Sequence, residues 1–180
     1  LFTATSCTCV TGLSLVDTFT HWSGFGQVVM LVLIQIGGLG IITIMTGLMM
    51  LVNRKLGIGD RLLLQDAFNL NTMAGLIKFV KNVLFGTLIV EGIGALLYMF
   101  VFIPDFGARG IWISVFTSVS AFCNAGIDIM AENSLCNYAT NPLINIVTSA
   151  LIILGGLGYI VWWDVLRVTR SRSKKNRKVF

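Results

Sequence analysis

Three long apolar runs, separated by short polar segments, dominate the pattern of this chain. The apolar runs cover residues 28–52, 77–103 and 143–165. A helix that crosses a bilayer needs about 20 mainly apolar residues, so each run predicts a membrane-spanning helix. The first run contains no charged residue, the middle run contains Lys78, Lys81 and Glu91, and the last run contains Asp164 near its end. Pro104 is expected to end that middle helix, because proline cannot continue the helical hydrogen-bond ladder.

A shorter segment, residues 112–122, is predicted to be a helix that does not cross the membrane. At a rise of 1.5 Å per residue it is too short to span a bilayer, so it must enter and return. Irregular backbone at that depth is tolerated only where it is buried in protein or lines a water-filled cavity. Residues 1–9 are predicted to be the end of an equivalent short helix.

The polar segment near the start of the chain recurs 114 residues later. Residues 2–13 read FTATSCTCVTGL and residues 116–127 read FTSVSAFCNAGI, with Phe, Thr, Ser, Cys and Gly at matching places. A second match follows each copy, as IGGLG at 36–40 and LGGLG at 154–158. Matches in the same order and at nearly the same period indicate repeated structural units. The glycines within the apolar runs either allow a neighbouring helix to approach closely or bend the helix.

The predicted fold class is therefore an all-α membrane protein built from repeated helix–pore-loop–helix units, as in potassium channels. Residues 1–52 are predicted to be the end of a first unit, and residues 77–166 a complete second unit. A connector at 53–76 joins them, and a basic tail follows at 167–180. Because the chain begins inside a unit, we expect it to be a fragment of a longer protein.

Composition and charge indicate the compartment and the orientation. Hydrophobic residues make up 56% of the chain and charged residues 12%, against about 45–50% and about 25% in soluble domains. Twelve of the thirteen Lys and Arg residues lie within 54–81 or 167–178. Basic residues concentrate in cytoplasmic loops. Residues 53–76 and 167–180 are therefore expected on the cytoplasmic side of the plasma membrane, and the mouths of the filter loops on the extracellular side. The tail is predicted to meet anionic lipid rather than nucleic acid.

The segment that ends each short helix suits the binding of a cation by backbone carbonyl groups. The candidate residues are Cys9, Val10, Thr11, Gly12, Cys123, Asn124, Ala125 and Gly126. A ring of carbonyl oxygens can replace the hydration shell of a potassium ion. Glycine allows the unusual backbone dihedrals that such a ring requires. The C-terminal end of each short helix also favours a cation. No other cofactor is predicted.

Glu91 is a separate candidate, because an acidic side chain within a spanning helix is costly and often functional. It is expected either to take part in ion passage or to hydrogen-bond a neighbouring helix. The four cysteines and the single His21 lack the spacing of a zinc site, so no transition-metal site is predicted. No arrangement of nucleophile, base and acid suggests an enzyme.

The two glycine segments resemble the first and second filter loops of the Trk/Ktr/HKT potassium transporters, and above all those of the bacterial Ktr type. The similarity includes Gln35 to Gly40, which read QIGGLG. It implies four pore units in one chain, with one filter glycine in each. Gly12 and Gly126 would be the filter glycines of the first and second units. It also implies potassium uptake that depends on sodium, a homodimer, and a ring of cytoplasmic nucleotide-binding regulatory subunits.

Two alternatives stay open at this point. A potassium-selective channel could assemble from two chains with two units each, or a non-conducting membrane subunit could bind a cytoplasmic regulator through residues 53–75 and the tail. The complete reading frame would test the first alternative. Complementation of a cell that lacks potassium uptake would test the second.

Overall fold

A computed structural model describes residues 1–40, 73–130, 134–158 and 161–162, with the backbone alone for residues 73–80. The described residues form helices and connecting turns, without a strand, which confirms the predicted all-α class. The α-helices in chain order are α1 (Phe2–Cys9), α2 (Thr18–His21), α3 (Gly24–Leu39), α4 (Met73–Phe106), α5 (Arg109–Phe122) and α6 (Pro142–Gly156). A 3-10 helix, Ser134–Tyr138, precedes α6. We call α1 to α3 the first half and α4 to α6 the second half.

Polar caps set where the two apolar helices after the loops begin. The Ser23 hydroxyl accepts a hydrogen bond from the Gly26 N–H at the start of α3. The Asn141 side chain accepts from the N–H groups of Leu143 and Ile144, and Pro142 occupies the first turn of α6. Such caps satisfy N–H groups that have no partner inside the helix. The sequence therefore specifies both helix starts locally.

Helix α4 is longer at both ends than the sequence predicted. Within the described residues, its Lys81–Phe106 segment is the one stretch that is long and apolar enough to cross a membrane. The prediction that Pro104 ends this helix is wrong, because α4 continues to Phe106. A proline so near the end removes one ladder bond without stopping the last turn. Gly107 follows the helix end, with φ of +60°.

Each glycine motif interrupts its helix, so the apolar runs 28–52 and 143–165 are not single unbroken helices, and the alternative of a break in the helix at the glycines is observed. Helix α3 ends at Leu39, and Gly40 follows with φ of +80°. Helix α6 ends at Gly156, and Gly158 has φ of +78°. These dihedrals suit glycine and break the helical path. The predicted connector and tail lie outside the described residues, except that 73–76 belong to α4.

The core forms where α4, α5 and α6 pack together and where α3 meets α5. Tyr98 and Phe102 of α4 are fully buried and stack at 5.5 Å between ring centroids. Ile113 and Phe116 of α5 and Ile34 of α3 complete the centre. Other large apolar side chains on α4 point away from this core and are exposed: Phe85, Leu88, Ile93, Leu96 and Phe100. An exposed apolar surface of this size suits contact with lipid.

Candidate ion-binding loops

The first loop, Cys9 to Gly12, follows α1 and is held by Ser6. Val10 takes a left-handed conformation with φ of +57°, and Gly12 has φ of +73°. The Thr11 N–H donates to the Ser6 carbonyl oxygen at 3.1 Å. The Ser6 hydroxyl donates to the Leu13 carbonyl oxygen at 2.6 Å, which closes the turn on the helix end.

The second loop, Cys123 to Gly126, repeats this arrangement at the end of α5. Asn124 has φ of +57° and Gly126 has φ of +66°. The Ala125 N–H donates to the Ser120 carbonyl oxygen at 2.8 Å. The Ser120 hydroxyl donates to the Ile127 carbonyl oxygen and accepts from the Ile127 N–H at 3.1 Å. The repeated sequences therefore adopt matching backbone conformations.

Sequence reasoning singled out the glycines and missed the two serines. Ser6 and Ser120 occupy matching positions of the repeat, and each is 4% exposed. A small polar residue retained at equivalent places beside an irregular turn was the signal that could have identified them. Short hydroxyl side chains are suited to this role because they hydrogen-bond nearby backbone groups.

The two loops touch each other through their backbones. A Cβ placed on Gly12 would lie 2.8 Å from the Ala125 carbonyl oxygen, which is too close for a side chain. A Cβ on Gly126 would meet only the Gly12 Cα, at 3.9 Å. The eight candidate residues thus form two adjacent loops, joined through Gly12, Ala125 and Gly126. Ala125 is 1% exposed, whereas Cys9 is on the surface of the described residues.

A cavity of about 360 Å³ lies beside both loops and contains two carboxylates. Its lining includes Gly12, Asp17, Gly126 and Asp128. Asp17 accepts hydrogen bonds from the Thr20 hydroxyl at 2.8 Å and the Phe19 N–H at 3.2 Å, and these bonds lower the pKa of its carboxyl. Asp128 accepts from the Met130 N–H at 3.0 Å. Glu132, four positions after Asp128, lies outside the described residues.

Glycines bring an apolar helix against the end of each short helix. A Cβ on Gly37 would overlap the Thr8 carbonyl oxygen of α1. A Cβ on Gly155 would overlap the Phe122 carbonyl oxygen of α5 in the same way. Thr8 and Phe122 are matching positions of the repeat, and so are Gly37 and Gly155. Close helix approach was therefore one correct interpretation of these motifs, and interruption of the helix at Gly40 and Gly158 was the other.

Glu91 lies behind the second loop and is hydrogen-bonded to the first half. Its carboxylate is 5% exposed and accepts from the Gln35 amide at 3.0 and 3.1 Å. This is the expected hydrogen bond to a neighbouring helix. Gln35 was missed as the partner, although it is the one amide among the apolar residues 28–36. A direct role of Glu91 in ion passage stays a prediction.

Metal-binding side chains are not clustered in the described part of the chain. No group of three or more His, Cys, Asp or Glu residues there is arranged to hold a metal ion. Cys7, Cys9, Cys123 and Cys136 are all free thiols. The available chemistry at the loops is that of backbone carbonyl groups, which bind a hard monovalent cation without a charged ligand.

Comparison with known proteins identifies the class to which these helices and loops belong. The TrkH family, described as cation transport protein, matches residues 1–179. The chain belongs to the TrkH family of cation transport proteins.

Three curated relatives place the chain more closely within that family. It is 45% identical over 174 residues to a potassium/sodium uptake protein, NtpJ, of Enterococcus hirae, which covers 96% of this chain and 38% of the relative. It is 40% identical over 174 residues to Ktr system potassium uptake protein B of Bacillus subtilis, covering 96% and 39%. The corresponding protein of Vibrio alginolyticus is 34% identical over 172 residues, covering 95% and 38%. The chain therefore spans less than two fifths of the length of these relatives.

Proposed function

We propose that this chain forms part of a potassium uptake pathway across the plasma membrane, with the two loops as part of its selectivity filter. The observation that carries the proposal is the matching backbone of the two loops and their contact at Gly12 and Ala125. Further support comes from relatives that are named potassium uptake proteins. Each half is then a pore unit, complete in the second half and partial in the first.

In this mechanism the ion loses water to main-chain carbonyl groups of Cys9 to Gly12 and Cys123 to Gly126. The left-handed residues Val10 and Asn124 turn the chain sharply after each short helix. The C-terminal ends of α1 and α5 add partial negative charge near the loops. Asp17 and Asp128 line the cavity beside the loops and would raise the local concentration of cations there.

Further features of the proposal rest on the family resemblance. Uptake is coupled to or dependent on sodium, and the name of the Enterococcus hirae relative mentions both ions. The membrane subunit is a homodimer that binds cytoplasmic nucleotide-binding regulatory subunits. Residues 53–76 and 167–180 face the cytoplasm, and the loop mouths face outward. Two adjacent loops form only part of a ring of carbonyl groups. Additional pore units therefore complete the ring around the same axis.

The test is the substitution Gly126→Ser in the complete reading frame that carries this sequence. The added side chain meets no close atom, so its main effect is strain at φ of +66°, of order 1–3 kcal/mol. We expect the preference for potassium over sodium to fall about tenfold, which corresponds to about 1.4 kcal/mol. Potassium uptake competed by sodium, normalised to membrane-inserted protein, measures this change. Gly12→Ser is expected to act in the same direction.

Gly156→Ala is the control, because its Cβ would lie 3.8 Å from Asn124 Nδ2 at ordinary contact distance. It should leave ion preference unchanged. Unaltered sodium competition in Gly126→Ser, at normal insertion, would reject the second loop as a filter.

A further inference from the structure

A buried polar cluster joins the two halves directly behind the second loop. We call Gln35 on α3, Glu91 on α4 and Cys123 at the end of α5 the seam cluster. The Gln35 amide donates to both carboxylate oxygens of Glu91, at 3.0 and 3.1 Å. The Cys123 sulfur lies 3.9 Å from Gln35 Oε1 and 4.0 Å from Glu91 Oε1, within reach of a weak S–H hydrogen bond. Three helices therefore meet at one set of side chains.

The main chain of Glu91 is fixed to the same short helix. The Ser118 hydroxyl, which is fully buried, donates to the Glu91 carbonyl oxygen at 2.7 Å. Gly94 makes room for this approach, because a Cβ there would overlap Ser118 Oγ. Helix α5 is thus held to α4 at two levels, through Ser118 and through Cys123. Cys123 immediately precedes Asn124, which has a left-handed backbone conformation.

Cys123 is also enclosed by the backbone of α3. A Cβ on Gly38 would overlap the Cys123 sulfur and its Cβ. The thiol is 7% exposed and sits between Gly38, Gln35 and Glu91. Closely packed interiors transmit small displacements rather than absorbing them. A change in the distance between α3 and α4 would therefore move Cys123 and the loop that begins there.

The repeat-equivalent positions do not form a second such cluster among the described residues. Cys9 occupies the position that matches Cys123, but it is exposed in the described residues. Ile153 occupies the position that matches Gln35 and is 60% exposed. A buried carboxylate within a spanning helix is costly unless it has a polar partner, and such residues often serve a function. Among the described residues, the seam cluster joins the first and second halves.

We propose that Gln35 and Glu91 are positioning residues for the second loop, and that they set its preference for potassium over sodium by fixing Cys123. This inference rests on the proposed filter function. Neither side chain contacts the ion. The amide–carboxylate bond sets the separation of α3 and α4, the two helices hold Cys123 from opposite sides, and Cys123 fixes where the loop begins.

The test compares loss of the bond with its reconstruction in the complete transporter. Gln35→Leu and Glu91→Leu remove the bond singly. The double exchange Gln35→Glu/Glu91→Gln rebuilds an amide–carboxylate pair with the partners reversed. We expect each single variant to lower the potassium preference roughly tenfold, and the exchange to return it to within about threefold of wild type. The measurement is potassium uptake competed by sodium, per amount of inserted protein.

Thr87→Val is the matched control. Thr87 lies one turn before Glu91 on α4, is 3% exposed, and its hydroxyl has no hydrogen-bond partner among the described residues. The substitution therefore changes a buried polar side chain on the same helix without touching the seam cluster. It should leave sodium competition at the wild-type value.

Two results would overturn the proposal. The first is normal sodium competition in the inserted Leu variants, and the second is an exchange variant as impaired as the single ones. If the Leu variants do not insert, Gln35→Asn and Glu91→Asp shorten each arm by one methylene. Lowered preference in these supports the proposal, and unchanged preference rejects it. Loss of preference in Gly126→Ser without loss in the seam variants rejects the positioning role and leaves the filter function standing.

Discussion

The first and second loops have matching backbones in different surroundings. Both follow a short helix, both contain a left-handed residue followed by a glycine with positive φ, and both are closed by a serine. Behind the second loop, however, Cys123 is buried against α3 and α4, whereas Cys9 at the matching position is exposed. The conformation of a loop is therefore specified within its own segment. Its packing is specified by the neighbouring half.

The exposure of the loop ends differs as well. Leu13 is 61% exposed, whereas Ile127 is 4% exposed. Both serines are buried, but the carbonyl group that each serine hydroxyl bonds belongs to an exposed residue in the first loop and to a buried residue in the second. Leaving a polar group without a partner costs more where water cannot replace that partner.

The largest effect is expected at the glycine contact behind the second loop. In Gly155→Ala, the added Cβ would overlap the Phe122 carbonyl oxygen, a backbone atom that cannot rotate away. Helix α6 must then move away from α5, and we expect a loss of about 3 kcal/mol or more of stability. Thermal unfolding of the purified transporter in detergent measures the change.

The adjacent residue provides the control for that prediction. In Gly156→Ala, the Cβ would lie 3.8 Å from Asn124 Nδ2, so stability should stay within about 0.5 kcal/mol of wild type. Equal stabilities of the two variants would mean that the close approach of α6 to α5 is not a feature of the folded protein. Gly37→Ala tests the same contact in the first half, against the Thr8 carbonyl oxygen.

An intermediate effect is expected from the two serines. Ser120→Ala removes both bonds to the backbone of Ile127 and leaves its N–H without this partner in a buried place. The expected cost is about 1–3 kcal/mol. Ser6→Ala removes the bond to the carbonyl oxygen of Leu13, which is exposed among the described residues, so the cost should be about 1 kcal/mol or less.

Unfolding midpoints of the two serine variants under identical conditions would rank these costs. The reverse order, with Ser6→Ala more damaging, would contradict the view that surroundings rather than backbone distinguish the loops. Thr11→Val is a useful companion, since the Thr11 hydroxyl shares a 2.9 Å hydrogen bond with Ser6 Oγ in the first loop alone.

Several of these features could be predicted from the sequence because they depend on neighbouring residues. Apolar run length predicted where the helices lie, although not that α3 and α6 stop at their glycine motifs. The repeat predicted that Gly12 and Gly126 would be equivalent. The positive φ of Val10 and Asn124 was not predicted, because neither valine nor asparagine requires it. Their conformation follows from the hydrogen bonds that each serine makes across the turn.

Features that depend on the arrangement of helices could not be predicted in the same way. Gln35 and Glu91 are separated by 56 positions, and their contact depends on how α3 packs against α4. Pro104 was misread because its local preference to end a helix is outweighed within the last turn of α4. The glycine motifs were compatible both with close approach of a neighbouring helix and with interruption of the helix. In the structure Gly37 allows the close approach, and Gly40 interrupts the helix.

The smallest expected effect concerns the carboxylates beside the two loops. Asp17 caps α2, and hydrogen bonds from the Thr20 hydroxyl and the Phe19 N–H lower its pKa below the unfolded value of about 3.9. The bound, ionised form therefore adds stability above that pH, and the contribution disappears as the pH falls through the lower folded pKa. Asp17→Asn should reduce stability slightly near neutral pH. The difference from wild type should become smaller in acid, in unfolding measurements from pH 6 to pH 3. A difference that persists unchanged at pH 3 would show that Asp17 acts through its shape rather than its charge, and that the capped turn is not held by an ionised side chain.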